Sequence, residues 1–168
     1  MSKKILDACC GPRMFWFDKD HPDVLYQDIR EFDDVVYNKK IKVAPDTIAD
    51  FRNMPYPDET FYLVVFDPPH LKWAGKESRM RAAYGQLDHK TWKDDISKGF
   101  EECFRVLKPN GVLVFKWSDC QIKLKDVLAL APQKPLFGNR SGKTAHWMVF
   151  MKTDVPDDPA WDFDRSKK

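Results

Sequence analysis

The sequence predicts an α/β fold with a doubly wound, mainly parallel sheet that ends in an antiparallel hairpin. Three observations predict it: short apolar runs alternate with longer segments, several runs end in an aspartate, and one intervening segment has apolar residues spaced by three and four. Alternating strands and helices favour parallel strands joined by crossovers, while two runs near the end of the chain flank a short turn.

The first strands each lead to an aspartate. Strands are predicted over residues 4–9, 23–27 and, as a short strand, 46–49. Between them we expect a short helix near residues 13–18 and a helical or irregular stretch over 31–40. The aspartates at these strand ends are Asp7, Asp28 and Asp50. The carboxyl ends of parallel strands meet at one edge of a sheet, where open α/β sheets bind ligands.

The second half continues the alternation. A strand over residues 62–66 stops at Asp67, and a helix is predicted over residues 92–107. The apolar positions of that helix share one face: Ile96, Phe100, Cys103, Phe104 and Leu107. Lys108-Pro109-Asn110-Gly111 ends it. A strand over 112–117, a helix over 122–130, and strands near 134–137 and 145–151 follow, the last two as a hairpin.

The tetrapeptide Asp67-Pro68-Pro69-His70 has the composition of a rigid catalytic loop. Each proline fixes φ and lacks an amide hydrogen, so Pro68 offers a carbonyl acceptor beside the carboxylate of Asp67. Two acceptors next to one flat ring suit a planar primary amine, which donates two N–H bonds while its ring lies against His70. Taken alone, the tetrapeptide fits a strand end with a proline turn equally well.

Asp28 has the position of a ribose-binding carboxylate. In nucleotide-binding α/β domains an acid at the end of the second strand, roughly 20 residues after the first strand's end, accepts hydrogen bonds from ribose hydroxyls. The small side chains of Ala8, Cys9 and Cys10 permit a ligand to approach the first loop closely. No G-x-G-x-x-G opens the first helix, which disfavours a nicotinamide dinucleotide because its pyrophosphate needs that backbone contact.

These segments, in this order, resemble the class I S-adenosylmethionine-dependent methyltransferases, and within them the amino-methyltransferases that carry a D/N-P-P-aromatic motif. The resemblance extends over about residues 4–152. Its most specific parts are Asp67-Pro68-Pro69-His70, Pro57-Asp58-Glu59-Thr60-Phe61 and Arg105-Val106-Leu107-Lys108-Pro109-Asn110-Gly111. Cys9 stands where this family usually has a first glycine, and His70 stands where it more often has Tyr, Phe or Trp.

The resemblance implies a Rossmann-like fold, S-adenosyl-L-methionine as the cofactor, and methyl transfer to an amino nitrogen. The catalytic residues that it implies are Asp67, Pro68 and His70. The cofactor-binding residues that it implies are Asp7, Ala8, Cys9, Gly11, Asp28, Asp50, Phe51 and Asp67. Within this set, the loop from Asp7 to Gly11 would face the methionine part, Asp28 the ribose, and Asp50 with Phe51 the adenine.

The segment between residues 71 and 93 combines cations with aromatic rings. It contains six Lys or Arg residues against Glu77 and Asp88, and it begins directly after the tetrapeptide. Cations suit phosphates and rings suit exposed bases, so this segment is predicted to cover the substrate; a solvated connection is the alternative. Gly75 and Gly85 would let it move as a lid. The substrate-binding candidates are Lys72, Trp73, Arg79, Arg81, Trp117, Arg140 and Lys143.

Several candidates have a plain structural alternative. Trp117 ends the strand over 112–117 and either forms a wall of the pocket or packs in the core. Arg140 and Lys143 either contact phosphate or lie on a solvated turn that binds nothing. The four cysteines lack metal-ligand spacing, so no metal site is predicted. With no signal peptide and no apolar stretch of membrane length, we expect a reduced cytoplasmic setting and no membrane contact.

The 168 residues predict one methyltransferase domain over 1–152 followed by an acidic extension over 153–168. The formal charge of +2 is too small to argue for nucleic acid by itself. The hypothesis is methylation of the exocyclic amine of adenine or cytosine in DNA or RNA. Methylation of a protein glutamine or a small amine, and a non-catalytic cofactor-binding subunit, are the alternatives. A protein partner that completes the substrate site also remains open.

Overall fold

A computed structural model describes residues 3–36 and 38–154. Within them the chain forms nine strands and three helices. The strands are β1 (Ile5–Asp7), β2 (Val24–Asp28), β3 (Phe32–Val36), β4 (Lys39–Val43), β5 (Thr47–Ile48), β6 (Phe61–Phe66), β7 (Leu107–Ser118), β8 (Phe137–Ser141) and β9 (Ala145–Met151). The helices are α1 (Arg79–Tyr84), α2 (Trp92–Val106) and α3 (Leu124–Leu128).

Seven of these strands form one sheet in the order β5-β2-β1-β6-β7-β9-β8. The pairs from β5 through β7 are parallel, whereas β9 is antiparallel to both of its neighbours, β7 and β8. The predicted doubly wound, mainly parallel sheet with an antiparallel hairpin at its end is therefore confirmed. Because the order reverses direction at β1, this strand and β6 flank the point where open α/β sheets bind ligands.

One face of the sheet carries the main core. The predicted apolar stripe of α2 is buried: Ile96, Phe100 and Cys103 have no exposed surface. They pack on alternate residues of the central strands, and the ring of Phe100 lies 4.8 Å from that of Phe115 between centroids. Helix α2 ends at Val106 because Leu107 turns to extended backbone and begins β7, earlier than the predicted start at residue 112.

The stretch over residues 31–40, predicted as helical or irregular, belongs to an antiparallel hairpin of β3 and β4. Val36 pairs with Lys39, and Asn38 has φ of 58°, the left-handed backbone that a two-residue hairpin turn requires. Alternating apolar and charged residues in β4, with Ile41 and Val43 buried, have the period of a strand. The helix prediction was wrong because this alternation extends over only a few residues on each strand.

The short helix expected near residues 13–18 is also absent from the described structure, where these residues form turns. Arg13 has φ of 54°, outside the helical region. Its guanidinium donates to the carbonyl of Ala44 at 2.7 Å, so side-chain contacts across the chain hold this loop instead of helical hydrogen bonds. The remaining differences concern boundaries: α3 is shorter than predicted, and β8 begins at Phe137 rather than near residue 134.

The predicted acidic extension lies outside the described residues from position 155 onward. Over the ranges 3–36 and 38–154, none of the helices has both the length and the apolar character needed to cross a membrane.

Candidate active site

Three buried aspartates meet at the carboxyl edge of the sheet. Asp7 ends β1, Asp28 ends β2, and Asp67 follows β6, and these three strands are neighbours. The exposed fractions are 0% for Asp7, 7% for Asp28 and 6% for Asp67. The structure therefore brings together three of the carboxylates that the sequence singled out. Buried charges need partners, so the hydrogen bonds of each carboxylate indicate what it can do.

Asp7 is held by the indole of Trp16. Nε1 of Trp16 donates to Oδ2 of Asp7 at 2.7 Å, and the amide of Cys9 donates to Oδ1 at 3.4 Å. The pKa of Asp7 is raised from 3.8 to about 7, chiefly by burial; the Trp16 hydrogen bond opposes this rise, and the nearby charges of Asp67 and Asp28 contribute to it. Asp7 is thus a fixed carboxyl whose charge changes near neutral pH.

Asp28 organises the loop that follows β1. The amide of Gly11 donates to Oδ2 of Asp28 at 3.0 Å, and the amide of Arg30 donates to Oδ1 at 3.1 Å. Gly11 has φ of 46°, and a Cβ added to it would lie 3.1 Å from the carbonyl oxygen of Ala83. Glycine is required here for both its backbone conformation and the close approach of α1.

A cavity of about 400 Å³ opens beside Asp28. Such a volume is within the usual range for small-molecule sites. Its walls include Ala8, Cys9, Asp28, Ile29, Phe51 and Leu87. Burial raises the pKa of the Cys9 thiol well above its ordinary value, so this wall is neutral. The lining also carries charge, with the carboxylates of Asp28, Asp50, Asp88 and Asp95 and the guanidinium groups of Arg30 and Arg52 beside the apolar side chains and the small-residue loop.

Asp50, at the end of the β5 segment, lies on the rim of this cavity and is bound to Arg52. Nη2 of Arg52 donates to Oδ2 of Asp50 at 2.6 Å, and this guanidinium holds the pKa of Asp50 below its usual value. Nη1 of Arg52 donates to Asp95 in α2 at 2.8 Å. Arg52 therefore joins the loop after β5 to the first turn of α2.

Asp67 forms an ion pair with Lys116 of β7. Nζ of Lys116 lies 2.6 Å from Oδ2 of Asp67. Burial raises the pKa of Asp67 above its ordinary value, while the Lys116 ammonium acts in the opposite direction. Pro68 is buried directly after it, so the carboxylate and the Pro68 carbonyl are part of a rigid segment.

Three aromatic rings surround the Lys116 ammonium. Its Nζ lies 5.6 Å from the ring centroid of Phe15 and 5.7 Å from those of Tyr84 and Trp147. These distances are within the range of cation–π attraction. No role for Lys116 was predicted from the sequence; the available signal was its position on the opposite face of β7 from Phe115 and Trp117, because strand residues alternate.

His70 packs inward. It is 9% exposed, and its ring lies 6.3 Å from that of Trp117 in an edge-to-face arrangement. Burial, together with the nearby Lys116 charge, lowers the pKa of His70, so the imidazole is neutral at pH 7. Trp117 is 1% exposed and its Nε1 donates to the carbonyl of Ile122 at 3.0 Å. Trp117 thus supports His70 from the core side.

The segment after the tetrapeptide folds back over the site. Its ends are joined where the amide of Leu87 donates to the carbonyl of Leu71 at 2.9 Å. The carboxamide of Gln121 accepts from the amides of Lys72 at 2.8 Å and Trp73 at 3.1 Å. A Cβ added at Gly85, which has φ of 81°, would lie 3.3 Å from Cγ of Pro69. The segment therefore contacts the tetrapeptide directly.

Arg30 binds the end of α1. Its Nη1 donates to the carbonyl of Ala82 at 3.0 Å and to that of Arg81 at 3.3 Å, while Nη2 donates to that of Ala83 at 3.2 Å. The last carbonyls of a helix have no partner within the helix, so a cation suits this position. Arg30 follows Asp28 by two residues and links the cavity wall to α1. This role of Arg30 was not predicted from the sequence.

The substrate-binding candidates lie at different places around the edge. Arg79 and Arg81 are on α1, and Lys72 and Trp73 are near its base; the ring of Trp73 stacks on that of His89 at 4.5 Å. At the β8–β9 turn, Nε of Arg140 donates to the carbonyl of Lys143 at 3.1 Å. Trp117 is the member of this set that is enclosed in the core.

Metal-ligating side chains do not converge in the described part of the chain: no group of three or more His, Cys, Asp or Glu residues there is placed to hold a metal ion. The three aspartates at the sheet edge instead accept hydrogen bonds from amides, an indole and an ammonium.

Neither a family model nor a curated protein matches the sequence. Solved structures do match the fold. The PH0226 protein from Pyrococcus horikoshii OT3 has a TM-score of 0.61 at 16% identity, over 90% of this chain and 82% of that one. A SAM-dependent methyltransferase from Leishmania major has a TM-score of 0.53 at 12% identity, and the match covers 89% of this chain and 65% of that protein.

A SAM-dependent methyltransferase from Aquifex aeolicus has a TM-score of 0.50 at 16% identity, over 90% of this chain and 85% of that one. At these identities the similarity shows the fold. The chain has the Rossmann-like fold that these methyltransferases share, and the carboxyl edge with its three aspartates is where such a sheet binds ligands.

Proposed function

We propose that this protein transfers a methyl group from S-adenosyl-L-methionine to the exocyclic amine of adenine or cytosine in DNA or RNA, an activity of class EC 2.1.1.-. One observation carries the proposal: Asp67-Pro68-Pro69 follows β6 at the ligand-binding edge of a methyltransferase-like sheet, beside the cavity that Asp28 bounds. The carboxylate, the carbonyl and the cavity are the parts that amine methylation requires.

The cavity residues fit the cofactor. The Asp28 carboxylate suits the two ribose hydroxyls, because each of its oxygens accepts one amide and keeps a further lone pair. Ile29 and Phe51 offer apolar contact to the adenine, and the small side chains of Ala8 and Cys9 leave space for the methionine part. When bound, S-adenosylmethionine supplies an electrophilic methyl group on a sulfonium.

Asp67 and the Pro68 carbonyl would accept the two hydrogens of the substrate amine. Such an amine is a poor nucleophile because its lone pair is delocalised into the ring. Two acceptors favour a tetrahedral nitrogen, direct its lone pair toward the methyl group and stabilise the positive charge that develops. Since burial raises the pKa of Asp67, this carboxylate can also take up the amine proton afterwards.

Lys116 would keep Asp67 ionised until the amine arrives. An isolated carboxyl at 6% exposure favours its neutral form, in which one oxygen is a donor rather than an acceptor. The ammonium at 2.6 Å favours the charged form. Substrate binding then requires the amine to share Asp67 with Lys116, or to replace it there.

Tyr84 and His70 would form walls of the site around the target base. His70 packs against Trp117 and offers one neutral edge, and Tyr84 approaches Gly11, Lys116 and the cofactor cavity from α1. Burial raises the pKa of Tyr84, and the charge of Asp67 raises it further, so its hydroxyl stays protonated and can donate. A base within a duplex would need to be flipped out to reach this enclosed position.

The test is transfer of radiolabelled methyl from S-adenosylmethionine to separate pools of DNA, RNA, protein and small amines. Asp67→Asn keeps the shape of the side chain and removes its charge, and it should abolish label in the nucleic-acid pools. Asp126→Asn, at an exposed position of α3, is the matched control and should transfer normally. Cofactor affinity is measured by calorimetry for each protein.

Label in protein or small amines alone would reject the nucleic-acid substrate and favour the glutamine or small-amine alternative. Cofactor binding without label in any pool would reject independent catalysis and favour a non-catalytic subunit or one that needs a protein partner. Equal transfer by Asp67→Asn would reject the proposed role of this carboxylate.

A further inference from the structure

A second cavity lies between the β3–β4 hairpin and α1. Its volume is about 390 Å³, and it is distinct from the cavity beside Asp28. We call it the hairpin groove; its lining includes Met14, Lys39, Lys40, Ile41, Arg79 and Met80. The hairpin is the element that sequence analysis failed to predict, so the groove could not be anticipated from the sequence.

The floor of the hairpin groove is apolar and open. Met14 is 63% exposed and Met80 is 44% exposed, although both are large apolar side chains. Ile41, at 9% exposure, completes the surface between them. Methionine adapts its shape to a flat ring and makes favourable sulfur–aromatic contacts. An exposed surface of this kind suits the face of a planar ring such as a base.

Cations stand along the same groove. Lys39 and Lys40 are exposed on β4, and Arg79 is the first residue of α1. Lys40 lies 3.4 Å from a carboxylate oxygen of Asp33. Lys39 and Arg79 are both exposed, so an anion in solution can reach them. The two therefore keep their charge available for an anionic ligand.

Tyr84 connects the hairpin groove to the proposed active site. Its side chain lies on the wall of both cavities. The same ring is 5.7 Å from Nζ of Lys116, which holds Asp67. A chain of nucleotides can therefore place one base at Asp67 and its neighbour in the hairpin groove, with the Tyr84 ring between them.

We propose that the hairpin groove binds single-stranded DNA next to the target base, with Lys39, Lys40 and Arg79 contacting phosphates and Met14, Ile41 and Met80 packing against the neighbouring base. The inference rests on the proposed function and narrows its substrate. A base reaches the apolar floor only when it is unpaired, which favours a single strand over a duplex.

The lining chemistry favours DNA over RNA. Among the side chains that line the groove, Tyr84 is the one with a hydroxyl, and none has a carboxamide or carboxylate. A ribose 2′-hydroxyl is both a donor and an acceptor, and Tyr84 is the one side chain of this lining that can match both roles. Cations and apolar side chains read the phosphate and the base face, which DNA provides.

The experiment measures binding of a short fluorescein-labelled DNA strand by anisotropy, at several salt concentrations. The double variant Lys39→Ser/Lys40→Ser should weaken binding by about tenfold and reduce the salt slope by about 0.7 for each phosphate that is no longer neutralised. Met80→Ser should weaken binding about fivefold with an unchanged slope, because it removes base packing worth about 1 kcal/mol. The matched control is Lys98→Ser/Lys125→Ser, with both positions exposed on α2 and α3; it should bind as the unmodified protein does.

If the control pair weakened DNA binding equally, the proposed groove would be rejected, because binding would then depend on the total charge of the protein and not on the positions of these lysines. Tighter binding of the same sequence as duplex or as RNA would overturn the assignment to single-stranded DNA. Methyl transfer is scored separately, in the labelling assay. Groove-dependent DNA binding without transfer would reject the proposed function and leave the groove standing, whereas transfer to DNA that is insensitive to both groove variants would reject the groove alone.

Discussion

The ammonium of Lys116 lies 2.6 Å from Oδ2 of Asp67, at the carboxyl edge of two neighbouring parallel strands. Asp67 is 6% exposed, and this ammonium offsets the desolvation cost of its buried negative charge. Three aromatic rings enclose the other side of the ammonium. The pair joins the tetrapeptide to the strand next to it, and its energetics can be tested without a substrate.

Removing the ammonium should destabilise the protein most at neutral pH. We expect Lys116→Met to lower the free energy of unfolding by about 3 kcal/mol at pH 7, because Asp67 would be left buried and unpaired. Without Lys116 the folded-state pKa of Asp67 rises further above its unfolded value. The folded variant then binds a proton that the unfolded chain does not, so its deficit should shrink as pH falls through that raised pKa.

Urea unfolding between pH 4 and 8 measures this deficit. Lys125→Met, an exposed change of the same kind on α3, should show no pH-dependent loss. A deficit of equal size at every pH would mean that Lys116 acts through packing on its aromatic neighbours rather than through charge.

Asp7 should make the stability depend on pH over a defined range. Its pKa is raised from 3.8 to about 7 in the folded state, so the folded protein holds a proton between these values that the unfolded chain releases. Stability should therefore fall as pH rises from about 4 to about 7 and level off above. Asp7→Asn keeps an oxygen for Trp16 Nε1 and should remove this dependence, as measured by thermal unfolding at each pH.

Asp23→Asn, at a partly exposed carboxylate near Lys4, is the comparison and should leave the pH profile in place. If Asp7→Asn retains the full slope between pH 4 and 7, the titrating group lies elsewhere.

Arg30 should control how readily α1 opens. Arg30→Leu removes its hydrogen bonds to the carbonyls of Arg81, Ala82 and Ala83. Because the guanidinium is partly exposed, we expect a loss of about 1.5 kcal/mol in the opening free energy, which makes amide exchange in α1 about tenfold faster. Hydrogen–deuterium exchange of a peptide covering α1 measures the change.

Arg140→Leu is the control for this experiment, since its guanidinium binds a carbonyl at the distant β8–β9 turn. It should leave exchange in α1 unchanged. Unaltered exchange in Arg30→Leu would show that α1 is held without Arg30, by the backbone hydrogen bond between Leu87 and Leu71 and by the hydrogen bonds to Gln121.

Alanine substitutions at Gly11 and Gly142 should distinguish the cost of backbone strain from the cost of a steric contact. Both have positive φ, 46° and 68°, but a Cβ at Gly11 would meet the carbonyl of Ala83 at 3.1 Å, whereas at Gly142 it would meet nothing within 4 Å. Gly142→Ala should cost about 1 kcal/mol through backbone strain alone. Gly11→Ala should cost more and also weaken cofactor binding, because α1 must move away.

Urea unfolding and calorimetry on both variants measure these two effects. Equal destabilisation by the two substitutions, with unchanged cofactor affinity in Gly11→Ala, would contradict the close approach of α1 to the loop after β1.

Most strands of the main sheet were predicted close to their observed positions along the chain because they have a strong local signal. Buried parallel strands show as continuous apolar runs, and α2 shows as apolar residues at helical spacing. The β3–β4 hairpin was missed because its strands are short and mostly exposed, so charged residues mask their alternation. The helix predicted near residues 13–18 does not form, because Arg13 and Trp16 instead make hydrogen bonds to residues outside this segment, Ala44 and Asp7.

The sequence by itself determined the fold class, the aspartates at the strand ends and the position of the Asp67-Pro68-Pro69 segment, because strand period and chain order fix which residues reach the carboxyl edge. The tertiary structure alone decided the partners of those aspartates. Lys116 meets Asp67 across 49 positions and Arg30 meets the end of α1 across as many as 53. Contacts at such separations depend on how strands and loops pack in space, and no local pattern in the chain encodes them.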